Sequence, residues 1–265
     1  MQRLNHNKDT SLAEKDGKIV HIKDVRSGLK CNCYCANPDC GSKMIARKGN
    51  IRAHHFAHYE KGDCGISYES ALHKLAKEII QEKKQIRLKP FTCKVDKYGI
   101  QELIPENDFI AQEVMVENSC GKYKVDLLLK SCTQELIVEI FVSHKTEDDK
   151  INYFKKNNLS AIEIDLSGLI EKQYEREKIK DIVLNDISKQ TWLSIKDYGS
   201  LIEAKLEELN EKERLKKEED LKRKIEHEKY MEEHKKNRKP ISLFNKIIFG
   251  AVVVGIIALI VKSKK

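Results

Sequence analysis

Five of the eight cysteines and three of the nine histidines fall in "CNCYCANPDCGSKMIARKGNIRAHHFAHYEKGDC", residues 31 to 64. So many cysteines next to so many histidines point to a metal ion, and a structural zinc takes four such ligands in a tetrahedron. Cys93, Cys120 and Cys132 are scattered beyond it, a spacing that suits a metal better than a disulfide framework. The opening "MQRLNHNKDTSLAEKDGK" has no apolar signal-peptide core, so the expected compartment is the reducing cytoplasm, where such a group binds zinc. The first ligand pair can be drawn as Cys33 with Cys35, Cys31 with Cys35, or Cys35 with Cys40. The turn-forming Asn-Pro-Asp of "CANPDC" favours the last. The preferred set is Cys35, Cys40, His58 and Cys64, with Cys33 and His55 as alternates. No "HExxH" accompanies them, so a structural zinc is expected rather than a catalytic one.

Globular character is concentrated between about residues 67 and 190. In "SYESALHKLAKEIIQEKK" Leu72, Leu75, Ala76, Ile79 and Ile80 share one helical face, which predicts an amphipathic helix. Strand-like runs follow: "QIRLKPF", "FIAQEVMVEN", "KYKVDLLLK" and "ELIVEIFVS". A helix is then expected over "EDDKINYFKKNN", a strand over "SAIEIDLS" and a helix over "EREKIKDIVLNDI". Helix, three or four strands, helix, strand, helix describes an α/β (α+β) fold with a mixed sheet.

Two of those strands carry an acid where a core strand is apolar: Asp126 between "KYKV" and "LLL", and Glu139 inside "ELIVEIFVS". A buried carboxylate needs water, a cation or a basic partner. Two of them on successive strands can meet on the sheet and hold Mg²⁺, which polarises a phosphate and supplies hydroxide for attack on phosphorus.

The run from "GLKCNCYCANPDC" through "HHFAH" and "ESALHKLAK" to "KVDLLL" and "VEIFVSH…AIEIDLS" resembles the competence-protein CoiA-like family over roughly residues 17 to 167. That resemblance implies a zinc-binding β module, residues 1–66, followed by a PD-(D/E)XK-type nuclease domain, residues 67–192. It implies Asp126 as the first metal-binding carboxylate and Glu139 as the acid of the (D/E)XK element, with Mg²⁺ or Mn²⁺ as the catalytic ion. Glu69 and His73 would flank the site from the first helix. Phe141 departs from the pattern, which places a lysine there. His144, Lys145 or Lys150 could supply the missing group from nearby backbone, and Lys74 or Lys77 from the helix; His144 is the preferred substitute and Lys150 a further candidate.

Beyond the resemblance, residues 193–239 form a charged stalk in which Glu and Lys recur three or four apart, supporting an exposed helix. Ile202, Leu206 and Leu209 make a stripe that Leu215, Leu221 and Ile225 do not continue as a heptad. A single helix or weak coiled coil, with self-association as one outcome, is therefore expected. In residues 240–265, "IIFGAVVVGIIALIV" at 247 to 261 is free of charge and flanked by "KKNRKP" and "KSKK". This predicts one C-terminal membrane span, with the bulk of the chain on the cytoplasmic side of the inner or cytoplasmic membrane. The net charge of +8 suits either a nucleic-acid partner or membrane-flanking lysines. The leading expectation is a membrane-anchored, metal-dependent nuclease acting on DNA, with RNA as an alternative substrate. The competing one is an inactive nuclease fold that binds or tethers nucleic acid.

Overall fold

The computed structural model describes residues 10–60, 64–65, 67–170 and 174–237. The chain divides into two compact units with the boundary between Lys205 and Leu206. The membrane span expected at 247–261 lies outside the described residues; among those described, no helix is long and apolar enough to cross a membrane.

The first unit is α+β and begins with a five-stranded antiparallel sheet. Its strands are β1 (Leu12–Lys15), β2 (Lys18–His21), β3 (Gly28–Tyr34), β4 (Lys43–Arg47) and β5 (His55–His58), in the order β2-β1-β3-β4-β5. Alternation along β3 and past its end sends Cys31, Cys33 and Cys35 inward and Asn32 and Tyr34 outward. Cys31 and Cys33 join Ala13, Met44, Ala46 and Phe56 in a small core of their own.

Helix α1 (Ser67–Lys83) follows, with Leu72, Leu75, Ala76, Ile79 and Ile80 fully buried as its periodicity predicts. Two hairpin-like pairs come next, β6 (Gln85–Leu88) with β9 (Asn107–Ile110), and β7 (Phe91–Lys94) with β8 (Ile100–Ile104). The second five-stranded sheet is built from β10 (Glu113–Cys120), β11 (Tyr123–Lys130), β12 (Glu135–Phe141), β13 (Ala161–Asp165) and β14 (Gln190–Ser194), ordered as numbered. It is antiparallel except for β12 and β13, which run parallel across the crossover helix α2 (Asp148–Lys156). Gly121, at φ +59° in the turn between β10 and β11, has the Tyr153 hydroxyl where a Cβ would stand, so a larger residue there would be strained and would displace that ring. Helix α3 (Arg176–Asn185) packs beside α1 over one face of this sheet. The opposite face buries Phe154 of α2 with Val125 and Ile137.

Helix α1 belongs to both sheets. Leu12, Ile19 and Ala36 of the N-terminal module share one core with α1 and with Leu127, Val138 and Ile140 of the larger sheet. Polar ties reinforce the contact: the Ile19 amide donates to the Glu78 carboxylate at 3.1 Å, and Lys74 pairs with Glu14 at 2.7 Å.

The last described element, α4, runs from Tyr198 to Asn237. Within the second unit it carries Glu–Lys and Glu–Arg pairs three or four residues apart, among them Glu208–Lys212, Glu213–Lys217 and Glu219–Arg223. Leu215, Leu221, Ile225, Tyr230 and Met231 are exposed.

Candidate metal centre and carboxylate site

The end of β3, the following turn, the end of β5 and the segment before α1 converge on one point. The ligand atoms of Cys35, Cys40, His58 and Cys64 all lie within 4.8 Å of one another, the one such group of three or more metal-binding side chains among the described residues. Cys35 Sγ stands 3.7 Å from Cys64 Sγ, and Cys40 Sγ 3.3 Å from His58 Nε2. A tetrahedron with metal–sulfur bonds of about 2.3 Å has edges of about 3.8 Å, so the cluster has the size and the soft donor set for a structural metal such as zinc. Asn37 builds the turn between the first two ligands: its side chain accepts from the Asp39 amide at 3.1 Å and its carbonyl from the Cys40 amide at 3.0 Å. Burial opposes ionisation of Cys40, but Ser42, Cys35 and His58 together bring that thiol down to about 6. Cys35 is pushed up to about 12 by burial and the neighbouring Cys64, against the help of Ser67 and the Asn37 amide. Cys40 is therefore the more readily ionised of these two thiols, and a bound cation would favour the thiolate of Cys35.

The alternates go elsewhere. Cys33 is a core thiol that donates to the Cys31 carbonyl at 3.3 Å, its ionisation pushed up to about 12 by burial. His55 is buried with Nδ1 2.8 Å from the Ala53 carbonyl oxygen. All three cysteines face inward, but Cys31 and Cys33 are held within β3 in the module's own core, whereas Cys35 lies just past the strand end, where the chain turns toward Cys40.

On the larger sheet, four carboxylates form a row across four strands. The β11–β12 pairing ends at Leu127↔Val138, and one step further Asp126 meets Glu139. Glu139 pairs with Glu163 on β13. On the other side Val116↔Leu127 and Asn118↔Val125 leave Glu117 facing Asp126 outside the ladder, with Glu117 at φ 52°. A non-glycine residue there stores local strain of about 1 to 3 kcal/mol.

Each acid is neutralised differently. Asp126 Oδ2 lies 3.0 Å from His73 Nε2 and accepts from the Ile140 amide at 2.9 Å, while Lys77 Nζ is 3.8 Å from Oδ1. Burial pushes its ionisation up, but His73, the Ile140 amide and Lys77 outweigh it and hold Asp126 below the ordinary range. Glu117 pairs with Lys77 at 2.8 Å and with Lys124. Glu163 accepts from the Thr146 amide at 2.7 Å. Glu139 pairs with Lys150 of α2 at 2.7 Å, and the same ammonium donates to the Lys124 carbonyl at 2.7 Å. Burial, aided by the Asp126 charge, nevertheless raises Glu139 to about 7. The buried Glu139 and the half-buried Asp126 thus oppose each other's ionisation, and among the described residues no group of three or more carboxylates or other metal-binding side chains gathers around them.

The flanking residues divide. His73 and Lys77, four apart on α1, both reach Asp126. Glu69, one turn earlier, bonds the Ser143 hydroxyl and lines a separate pocket of about 240 Å³ with His73 and His144. His144 is exposed and makes no hydrogen bond among the described residues, while Lys145 lies over the Phe141 ring at 5.4 Å. Lys150 is the candidate that meets Glu139, because the first turn of α2 returns over β12. Glu117 was not expected from the sequence; only register and the left-handed backbone put it in the row.

A cleft of about 950 Å³ joins the two regions, its walls including Tyr34, Cys35 and Asn37 of the metal module, His73 and Lys77 of α1, and Asp126. The metal cluster also touches the start of the site helix, with Cys35 Sγ 3.4 Å from Ser67 Oγ.

Residues 18–67 match the family model for the competence protein CoiA, N-terminal domain. This stretch is CoiA-like. The match covers β2 to β5 and all four residues of the Cys₃His cluster, so the resemblance read from "HHFAH" rests on the metal module. Neither curated proteins nor solved structures give a match to the chain.

Proposed function

We propose that the CoiA-like chain is a metal-dependent nuclease whose larger sheet is of the PD-(D/E)XK type, with Asp126 and Glu139 as its metal-binding pair and Mg²⁺ or Mn²⁺ as the catalytic ion. The observation that carries the reading is the position of Lys150. Its ammonium sits on Glu139, where the strand itself offers only Phe141, so a cation accompanies the acid pair although the expected lysine is missing. A divalent ion, when bound, would polarise the scissile phosphate and acidify a water. The chain's own residues do the rest: His73 and the Ile140 amide orient Asp126, Lys77 keeps it ionised, and Lys150 faces the charge that develops on phosphorus. DNA is the proposed substrate, and the anchor expected at residues 247–261 would hold the site at a membrane surface. Zinc in the Cys₃His cluster would fix the cleft wall opposite Asp126.

A specific observation favours the second reading, an inactive fold that binds or tethers nucleic acid: Phe141 stands on β12 where the pattern places a lysine, with Lys145 lying over its ring at 5.4 Å. Purified full chain with single-stranded and linear duplex DNA plus Mg²⁺ or Mn²⁺ distinguishes the two. The nuclease reading expects cleavage that Asp126→Asn and Glu139→Gln each abolish. Equal cleavage by parent and variants, or none by the parent, would overturn it.

A further inference from the structure

The helix that brings Lys150 to Glu139 carries Lys155 in its last turn, where a second cavity opens at the other edge of the sheet. It has a volume of about 580 Å³, and its lining includes Phe91, Lys155, Asn158, Trp192, Ser194 and Tyr198. Three aromatic rings from three separate segments meet there. Phe91 stands edge-on to Trp192, centroids 6.3 Å apart at 77°, and to Tyr198, 5.9 Å apart at 74°. The Trp192 indole N–H donates to the Lys89 carbonyl at 2.9 Å, which fixes that ring. None of the three rings is fully buried, and Tyr198 is 44% exposed. Aromatic edges that meet around an open cavity leave π-faces for a ligand.

The charge around this cavity differs from that of the main cleft. Lys155 lines it, Lys196 follows wall residue Ile195, and Lys89 anchors Trp192 through its carbonyl. All three lysines are exposed, and none forms an ion pair among the described residues. The nearby acid Asp197 already accepts from the Asn158 amide at 2.7 Å.

We infer that this cavity is a second nucleic-acid contact: an unpaired base stacks on the Phe91–Trp192–Tyr198 group while Lys155 and its neighbours take the adjoining phosphates. Stacking faces beside free cations recognise single strands. A duplex keeps its bases inside the helix and offers the cavity nothing to stack. The inference rests on the nucleic-acid partner of the proposed function and not on catalysis at Asp126.

Trp192 is the single tryptophan of the chain, so its fluorescence reports on this cavity alone. Full chain without added Mg²⁺ or Mn²⁺ would be titrated with a short oligothymidine, following both Trp192 emission and the anisotropy of a labelled strand. Quenching is expected with the single strand and not with duplex, and Tyr198→Ala and Lys155→Glu should each weaken binding at least about fivefold. Anisotropy that rises while Trp192 emission stays constant, with both variants binding like the parent, would overturn the inference and leave the nuclease reading intact. Equal quenching by a polyglutamate peptide would overturn it too, by reducing the site to a generic cationic surface. No binding of any strand, together with no cleavage, would overturn both.

Discussion

Single charges decide most of what the carboxylate row can do. Under the proposed nuclease function, in which the Lys150 ammonium acts on developing charge, Lys150→Met should lower kcat for cleavage by about 10² while leaving strand affinity nearly unchanged; single-turnover kinetics measures this, and His144→Ala should have a small effect. Glu139 gives a pH signature of definite sign. Its folded pKa, about 7, exceeds the ordinary 4.5, so between those values the folded chain keeps a proton that the unfolded chain releases. Stability should therefore fall as pH rises through that window, by on the order of 3 kcal/mol, and Glu139→Gln should flatten the fall in urea titrations at pH values on either side. Asp126, held below its ordinary value, contributes in the opposite sense and only in acid, where its stabilisation is lost as pH drops. The ligands of the metal centre were legible at this scale, since thiol and imidazole chemistry leaves few alternatives and Asn-Pro-Asp dictates a turn. The cation that pairs with Glu139 was not: His144 is closer in sequence, but Lys150 is the one whose helix folds back over β12.

At the scale of elements, the metal centre and the site helix are mechanically linked. Cys64 lies just before α1, and Cys35 contacts Ser67 in its first turn, so removing the metal should loosen the N-terminus of the helix that carries His73 and Lys77. Chelation, Cys35→Ser or His58→Ala should release bound zinc and lower Tm by at least about 5 °C, with amide-exchange protection lost first in β5 and the start of α1. One zinc per chain retained in both variants would reject this ligand set. The part of α4 beyond Lys205 poses a different question, because its apolar residues form no continuous stripe and most of its ion pairs run with glutamate N-terminal to its cation, Arg214–Glu218 being the reverse. Its helicity should fall in about 1 M salt, and Leu221→Gln with Ile225→Gln should leave the oligomeric state unchanged in sedimentation. A shift in mass would show that Leu221 and Ile225 take part in self-association.

For the whole first unit, one helix serves two sheets. Leu12 and Ile19 share a core with α1 and Val138, so the metal module forms one wall of the cleft that contains Asp126. Periodicity and apolar runs by themselves determined α1, the strands β11 and β12 and the crossover helix α2, and thiol and imidazole chemistry narrowed the metal-binding set to a few residues, because helical faces, strand-like runs and donor types can be read from the chain without its packing. Tertiary structure alone decided three things. The row Glu117–Asp126–Glu139–Glu163 depends on strand register, the choice of Lys150 on the path of a crossover, and the Phe91–Trp192–Tyr198 cavity on β14 and the β7–β8 pair. Those strands are short and weakly alternating, and so were not evident in the sequence. Each is a meeting of residues far apart in the chain, and register and packing, unlike periodicity, exist only once the whole core has closed.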